Sequence, residues 1–376
     1  MTPNSKGIPD MLRELPRREQ LGPWLLLLGT TLGGLGMVWD VQWHSDVGPD
    51  TFFTAPHLLL YLGMATSGIT SLVIVLLNTR ASHTSQYVDG SPAVTVLGTF
   101  RAPLPYLLCG CAGAGGLLFG LADLWWHEVY GFDVTPTSPP HVAMSLMSLF
   151  DTAGLLLAFI LLRSTRAGRL GLTIAIGACV PNLVFLLYST PPIPGIATVV
   201  LAISAAGVLL LSVFAGALRR PALVASVAPG LILIHAALWF FAPAATRIYA
   251  DSLGLGLRDY ALGVPAMPIT LPFALPLAAL LYAGGLRLGR ARGWSPKVVI
   301  PVLGALGTTL VVAGYLSVPL GTTPLTLLPA APIGAVAGWI GWQLGSLGRI
   351  AGAGLTTEPP IAQPGRTASR LLTSEA

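Results

Sequence analysis

Apolar runs of about 20 residues recur along this chain, each ended by a polar, proline-rich or arginine-bearing joint, and nothing else in the sequence restricts the fold as strongly. A helix satisfies all of its own backbone amides and carbonyls inside a bilayer, so these runs are predicted to be membrane-spanning helices. They cover 22–43, 57–78, 103–125, 141–162, 168–189, 195–217, 222–242, 269–286, 297–317 and 325–345. The predicted fold class is therefore all-α, a polytopic integral membrane protein with about ten transmembrane helices and both termini on one side. Composition agrees: 53% of the residues are hydrophobic and 9% are charged, where soluble domains carry about a quarter charged residues. The 44 glycines and 32 prolines suit kinked helices that approach one another closely.

Placing the amino terminus in the cytoplasm puts every Lys and Arg except Arg247 and Arg258 on the cytoplasmic side, an asymmetry that recurs at each inner loop. The expected location is the plasma membrane, with both termini inside and the lipid bilayer as the main partner. The formal charge of +5 then reflects orientation and gives no reason to expect nucleic acid. Arg13, Arg17 and Arg18 precede the first run as in a signal peptide, but no early small-residue cleavage pattern follows, so a retained helix is expected. A short interfacial helix is expected around Met11 to Gln20. Cys109, Cys111 and Cys179 form neither a disulfide framework nor a C-x-x-C metal site.

One polar pattern occurs twice. Asp40, His44, Gly48, Asp50 and Pro56-His57 are matched by Asp123, His127, Gly131, Asp133 and Pro140-His141, with one more residue before the last histidine. The expected organisation follows from this: a cytoplasmic segment 1–21, a four-helix metal-binding half 22–162 containing a duplicated two-helix hairpin (22–78 and 103–162), a six-helix half 163–346, and a disordered tail 347–376. Asp and His four residues apart share one helix face. His57 and His141 open the returning helices, where proline is tolerated in the first turn. Each carboxylate and imidazole can thus meet a second imidazole across its hairpin, near the extracytoplasmic surface. Two nitrogens and one anionic oxygen suit a divalent first-row metal with a position left open. The expected ligands are Asp40, His44, His57, Asp123, His127 and His141, with Asp50 and Asp133 orienting them. The ligand set by itself does not choose among copper, zinc and iron, and haem is a further alternative.

The interval of Asp, His four on and His thirteen further in DVQWHSDVGPDTFFTAPH (Asp40, His44, His57) resembles a metal site in one membrane subunit of the particulate methane and ammonia monooxygenases. DLWWHEVYGFDVTPTSPPH (Asp123, His127, His141) resembles it less regularly, its final interval being fourteen. The resemblance implies copper, and those enzymes are built from several different subunits. Three functions follow as expectations. The first is a copper-dependent membrane oxidoreductase, or a monooxygenase-like subunit of one, acting on a small apolar substrate with other membrane subunits or further copies as partners. The second is a metal or small-solute transporter or metal-delivery protein. The third is a haem-binding electron-transfer subunit, or a structural subunit that metal staples together.

Among the remaining polar and aromatic residues, Trp39, Trp43, Trp125 and Trp126 fit an interfacial aromatic belt. Arg247, Asp251, Arg258 and Asp259 fit a charged outer loop between Pro243 and Pro268. His235 reads as a packed interior residue, His83 as a solvated one, and Glu128 has no counterpart in the first copy.

Overall fold

The computed structural model describes residues 17–48, 51–83, 92–131, 137–187, 190–261, 263–318 and 320–352. Within them the chain is a bundle of long apolar helices. The elements are α1 (Arg17–Asp46), α2 (Ala55–Ser82), β1 (Ala93–Val96), β2 (Phe100–Pro103), α3 (Leu104–Tyr130), α4 (Pro139–Leu161), α5 (Arg166–Leu187), α6 (Thr198–Leu218), the short α7 (Pro221–Ala225), α8 (Val227–Ser252), α9 (Leu275–Ala291), α10 (Pro296–Tyr315) and α11 (Leu327–Ala351). Among the described residues, ten helical segments are long and apolar enough to cross a bilayer, and each contains or overlaps one predicted run. The protein is thus a multi-pass membrane protein surrounded by lipid. Its periphery carries exposed large side chains such as Leu62, Ile69, Leu118, Leu233 and Phe240, which lipid covers at no cost.

Consecutive helices pair as hairpins, α1 with α2 and α3 with α4, and α2 packs against α3. Glycine permits the close approaches. A Cβ on Gly36 would stand 2.5 Å from the Leu60 amide nitrogen, and one on Gly113 would stand 2.6 Å from the Met64 carbonyl oxygen. Such contacts replace a hydrophobic drive that is weak between helices in lipid. In the second half α6, α10 and α11 pack together, with Ser212 and Tyr282 hydrogen bonded at 2.8 Å in its interior.

Three boundaries differ from the sequence reading. The joint after α2 contains a two-stranded antiparallel ladder, β1 with β2, turned by Leu97 and Gly98, both at positive φ, the geometry that matches strand twist in tight hairpins. α8 runs on to Ser252 through Pro243, so Arg247 and Asp251 are helical where a loop from Pro243 was expected. Hydropathy falls there, but an aromatic face of α8 packs on α1 and carries the helix on. At the carboxyl end α11 continues to Ala351. Most of the expected tail, and residues 11–16 of the expected interfacial helix, lie outside the described residues.

Candidate metal centres

At one end of the bundle, here the motif end, α1 hands over to α2 and α3 to α4. Asp40 and His44 lie one turn apart on the last part of α1, which gives way at Gly48 with φ +140°. α2 then starts with Ala55-Pro56-His57, where proline costs nothing because a first-turn amide has no partner inside the helix. His57 is the third residue of α2 and His141 the third of α4, so the repeated Pro-His places both imidazoles at the same helical position. Gly131 ends α3 at φ +82°, as Gly48 ends the descent of α1.

The geometry of the two sets is close to parallel. His57 Nε2 stands 3.0 Å and His44 Nε2 3.6 Å from the same oxygen, Asp40 Oδ1. His127 Nε2 stands 3.4 Å and His141 Nε2 3.6 Å from Asp123 Oδ2. The paired rings have centroids 6.4 Å apart in the first set and 6.3 Å in the second. His57 Nδ1 lies 3.1 Å from the Thr51 carbonyl. A carbonyl only accepts, so this bond places a proton on Nδ1 and leaves Nε2 as the ring nitrogen that faces Asp40.

These spacings fit a metal. Ligand atoms ~2.0–2.1 Å from one ion at tetrahedral angles lie roughly 3.3 Å from one another, and the carboxylate-to-imidazole separations fall on either side of that value. Within each set all three ligand atoms lie within 4.8 Å of one another. Three ligands leave one coordination position open. Exposure differs around each centre: the His44 side chain is 43% exposed, against 16% for Asp40 and 11% for Asp123. The carboxylates are therefore sheltered while the His44 imidazole is exposed.

Asp40, His57, Asp123 and His141 all line one cavity of about 100 Å³ between α1, α2, α3 and α4. The two sets are thus separate triads that share a chamber. That volume exceeds the roughly 10–15 Å³ needed for one water several times over.

Several residues that shape the site escaped the sequence reading. Arg258 binds the end of α1: its guanidinium donates to the carbonyls of His44 and Val47 and its amide to that of Asp46. Gln42, fully buried, donates to Asp46 and to the Val264 carbonyl and accepts from the Ala266 amide. The segment after α8 is therefore strapped to the turn carrying the first triad. Trp43 is 2% exposed and packs against Tyr249, as does Trp39. Those two tryptophans belong to the α1–α8 interface, whereas Trp125 is 55% exposed. Deeper in the chamber sits Asp151 of α4, hydrogen bonded by Thr30 at 2.5 Å. An ionisable residue within an apolar run was the sequence signal for it.

The other expectations divide simply. Asp50 and Asp133 lie outside the described residues. Glu128 is exposed and takes no part in the second triad. His235 is half-buried beside Trp239, and His83 is an exposed residue at the end of α2.

Fold and site together define a multi-pass membrane protein with sheltered Asp-His clusters capable of coordinating metal ions. No protein-family model, no curated protein and no solved structure matches the chain.

Proposed function

We propose that this protein is a copper-binding membrane oxidoreductase, or the metal-bearing subunit of one, in which a duplicated hairpin unit holds two copper ions at the extracytoplasmic face. The observation that carries the reading is the pair of three-ligand sets opening onto one chamber, each with a coordination position to spare. The positive-inside asymmetry supports placing the motif end outside, and the resemblance to the particulate methane and ammonia monooxygenases supports copper. A bound ion of this kind supplies Lewis acidity and, for copper, one-electron chemistry.

The chain's own residues do the rest. Asp40 and Asp123 each supply the anionic ligand that lowers the charge of a bound cation. Thr51 holds the His57 ring so that Nε2 faces Asp40. The apolar walls of the chamber exclude bulk water and admit a small apolar substrate, while His44 marks the aqueous side. In each set the carboxylate oxygen sits between the two imidazole nitrogens, in the space a porphyrin plane would fill, which favours a bare ion over haem.

The test is metal content after purification in detergent and loading with copper or zinc. Native protein is expected to retain two ions per chain, His44→Ala with His127→Ala to retain far less, and copper to be preferred. Unchanged content in that double variant would sink the assignment.

A metal carrier is the second reading, and one observation favours it: the chamber does not stop at the triads but continues inward to Asp151. Metal-dependent uptake into proteoliposomes would bring that reading forward.

A further inference from the structure

The inner part of the chamber has a chemistry of its own. Four methionines, Met37, Met64, Met144 and Met147, line it together with Asp151; the chain has seven methionines in all. They lie inward of the triads. Met37 is one turn from Asp40 on α1, Met144 one turn from His141 on α4, and Met64 two turns from His57 on α2. The Met64 and Met147 sulfurs rest against neighbouring glycines of α3, Gly116 and Gly115. Asp151 follows Met147 by four residues, so a thioether and a carboxylate share one face of α4. Asp151 is ten residues beyond His141, Thr30 ten before Asp40 and Ser67 ten beyond His57. At 1.5 Å per residue each lies about 15 Å further from the motif end than its triad.

We propose that this inner chamber binds a soft monovalent metal ion, copper(I) or its analogue silver(I), with methionine thioethers as ligands and Asp151 as counter-charge. The position is additional to the two triads and does not require them to be catalytic. Two deficits cancel there. Asp151 accepts a hydrogen bond from Thr30 on Oδ2 and has the Ser67 hydroxyl and Cys109 thiol beside it as further neutral donors. Its buried Oδ1 is left without a hydrogen-bond partner, and no cationic side chain pairs with it among the described residues. A carboxylate so placed in a bilayer stays charged only beside a cation and otherwise takes a proton, which a bound cation would displace. Thioethers are neutral and soft, so they select copper(I) over hard ions but bring no charge. One monovalent ion neutralises one carboxylate; a divalent ion would leave a net charge far from water. Carboxylate and imidazole ligands at the mouth and softer thioethers within also suit an ion on its way inward, the direction in which the chamber extends.

Silver(I) is the probe because it has the charge and softness of copper(I) without its redox chemistry. The background carries Cys109→Ala, Cys111→Ala and Cys179→Ala to remove thiols, and His44, His57, His127 and His141 each changed to Ala to remove the triads. Full-length protein in detergent, desalted after loading, is expected to keep one silver ion per chain, and to lose it with Met64→Leu plus Met147→Leu or with Asp151→Asn. No retained silver, or retention unaffected by those changes, would overturn the proposal. Should the histidine-free chain fail to fold, silver-edge X-ray absorption on the cysteine-free protein at one equivalent replaces it. Sulfur neighbours that vanish in the methionine variant are expected; nitrogen and oxygen neighbours alone would overturn it. Failure of the triads to bind copper would leave either readout intact.

Discussion

The Arg258 guanidinium donates to the His44 carbonyl at 3.1 Å, joining residues 214 positions apart. The last carbonyls of a helix have no partner within it, and a cation there offsets the negative end of the helix dipole. Because the same side chain also reaches Val47, it fixes where α1 ends and hence the height of His44. Arg258→Ala is therefore expected to weaken copper at the first triad by about tenfold, as loss of groups that orient metal ligands does. The second triad should be unaffected. Copper titration in a His127→Ala, His141→Ala background isolates the first triad, and an unchanged affinity would show that the α1 terminus needs no such support.

Metal should also be visible in stability. Each triad joins two helices, so an ion bound there favours the folded chain over any state in which the hairpins part. At a free copper concentration of 100 times Kd the expected gain is about 2.7 kcal/mol per site. Thermal denaturation in detergent should show a higher midpoint with copper, reversal by a chelator, and no copper effect in His57→Ala with His141→Ala.

Helix contact beneath the triads sets a third expectation. A Cβ on Gly36 would meet backbone and side chain of Leu60 at 2.5–2.9 Å, and backbone cannot swing aside. Gly36→Ala is expected to cost on the order of 1–3 kcal/mol through overpacking, and to separate Asp40 on α1 from His57 on α2. Gly230→Ala is the control, because a Cβ there meets nothing within 4 Å. Equal melting temperatures for the two variants would remove close packing as the reason for glycine at position 36.

Much of this arrangement is legible in the residues, for identifiable reasons. Ten runs of bilayer length can hardly be anything but helices, since lipid offers the backbone no other partner. The triads are legible because each half is local: the Asp-x3-His spacing is one helical turn, and Pro-His marks a helix start. What was not legible depends on which helix faces meet. Nothing near Met64 in sequence says that it shares a chamber with Met147, and Arg258 is separated from α1 by seven helices. The extension of α8 past Pro243 depends on packing, as Tyr249 sits between Trp39 and Trp43. Asp151 is the opposite case: a lone carboxylate in an apolar run was in plain view, but its meaning needs Thr30 and the cavity beside it.

The two triads differ at the start of their second helix, and that difference can be measured. Ser138 caps α4, its hydroxyl accepting from the amide of His141 at 3.4 Å. Thr54, in the corresponding place before α2, makes no such cap, and its hydroxyl donates instead to the Thr51 carbonyl at 3.1 Å. Replacing a capping serine with alanine costs about 1 kcal/mol, whereas glycine costs only a few tenths. Because the capped amide belongs to a ligand, Ser138→Ala should weaken copper at the second triad by several-fold, with Ser138→Gly recovering most of the loss. Thr54→Ala should leave the α2 start intact. Copper affinities of the single-triad proteins decide the matter: if Ser138→Ala and Thr54→Ala act alike, the cap does not position His141.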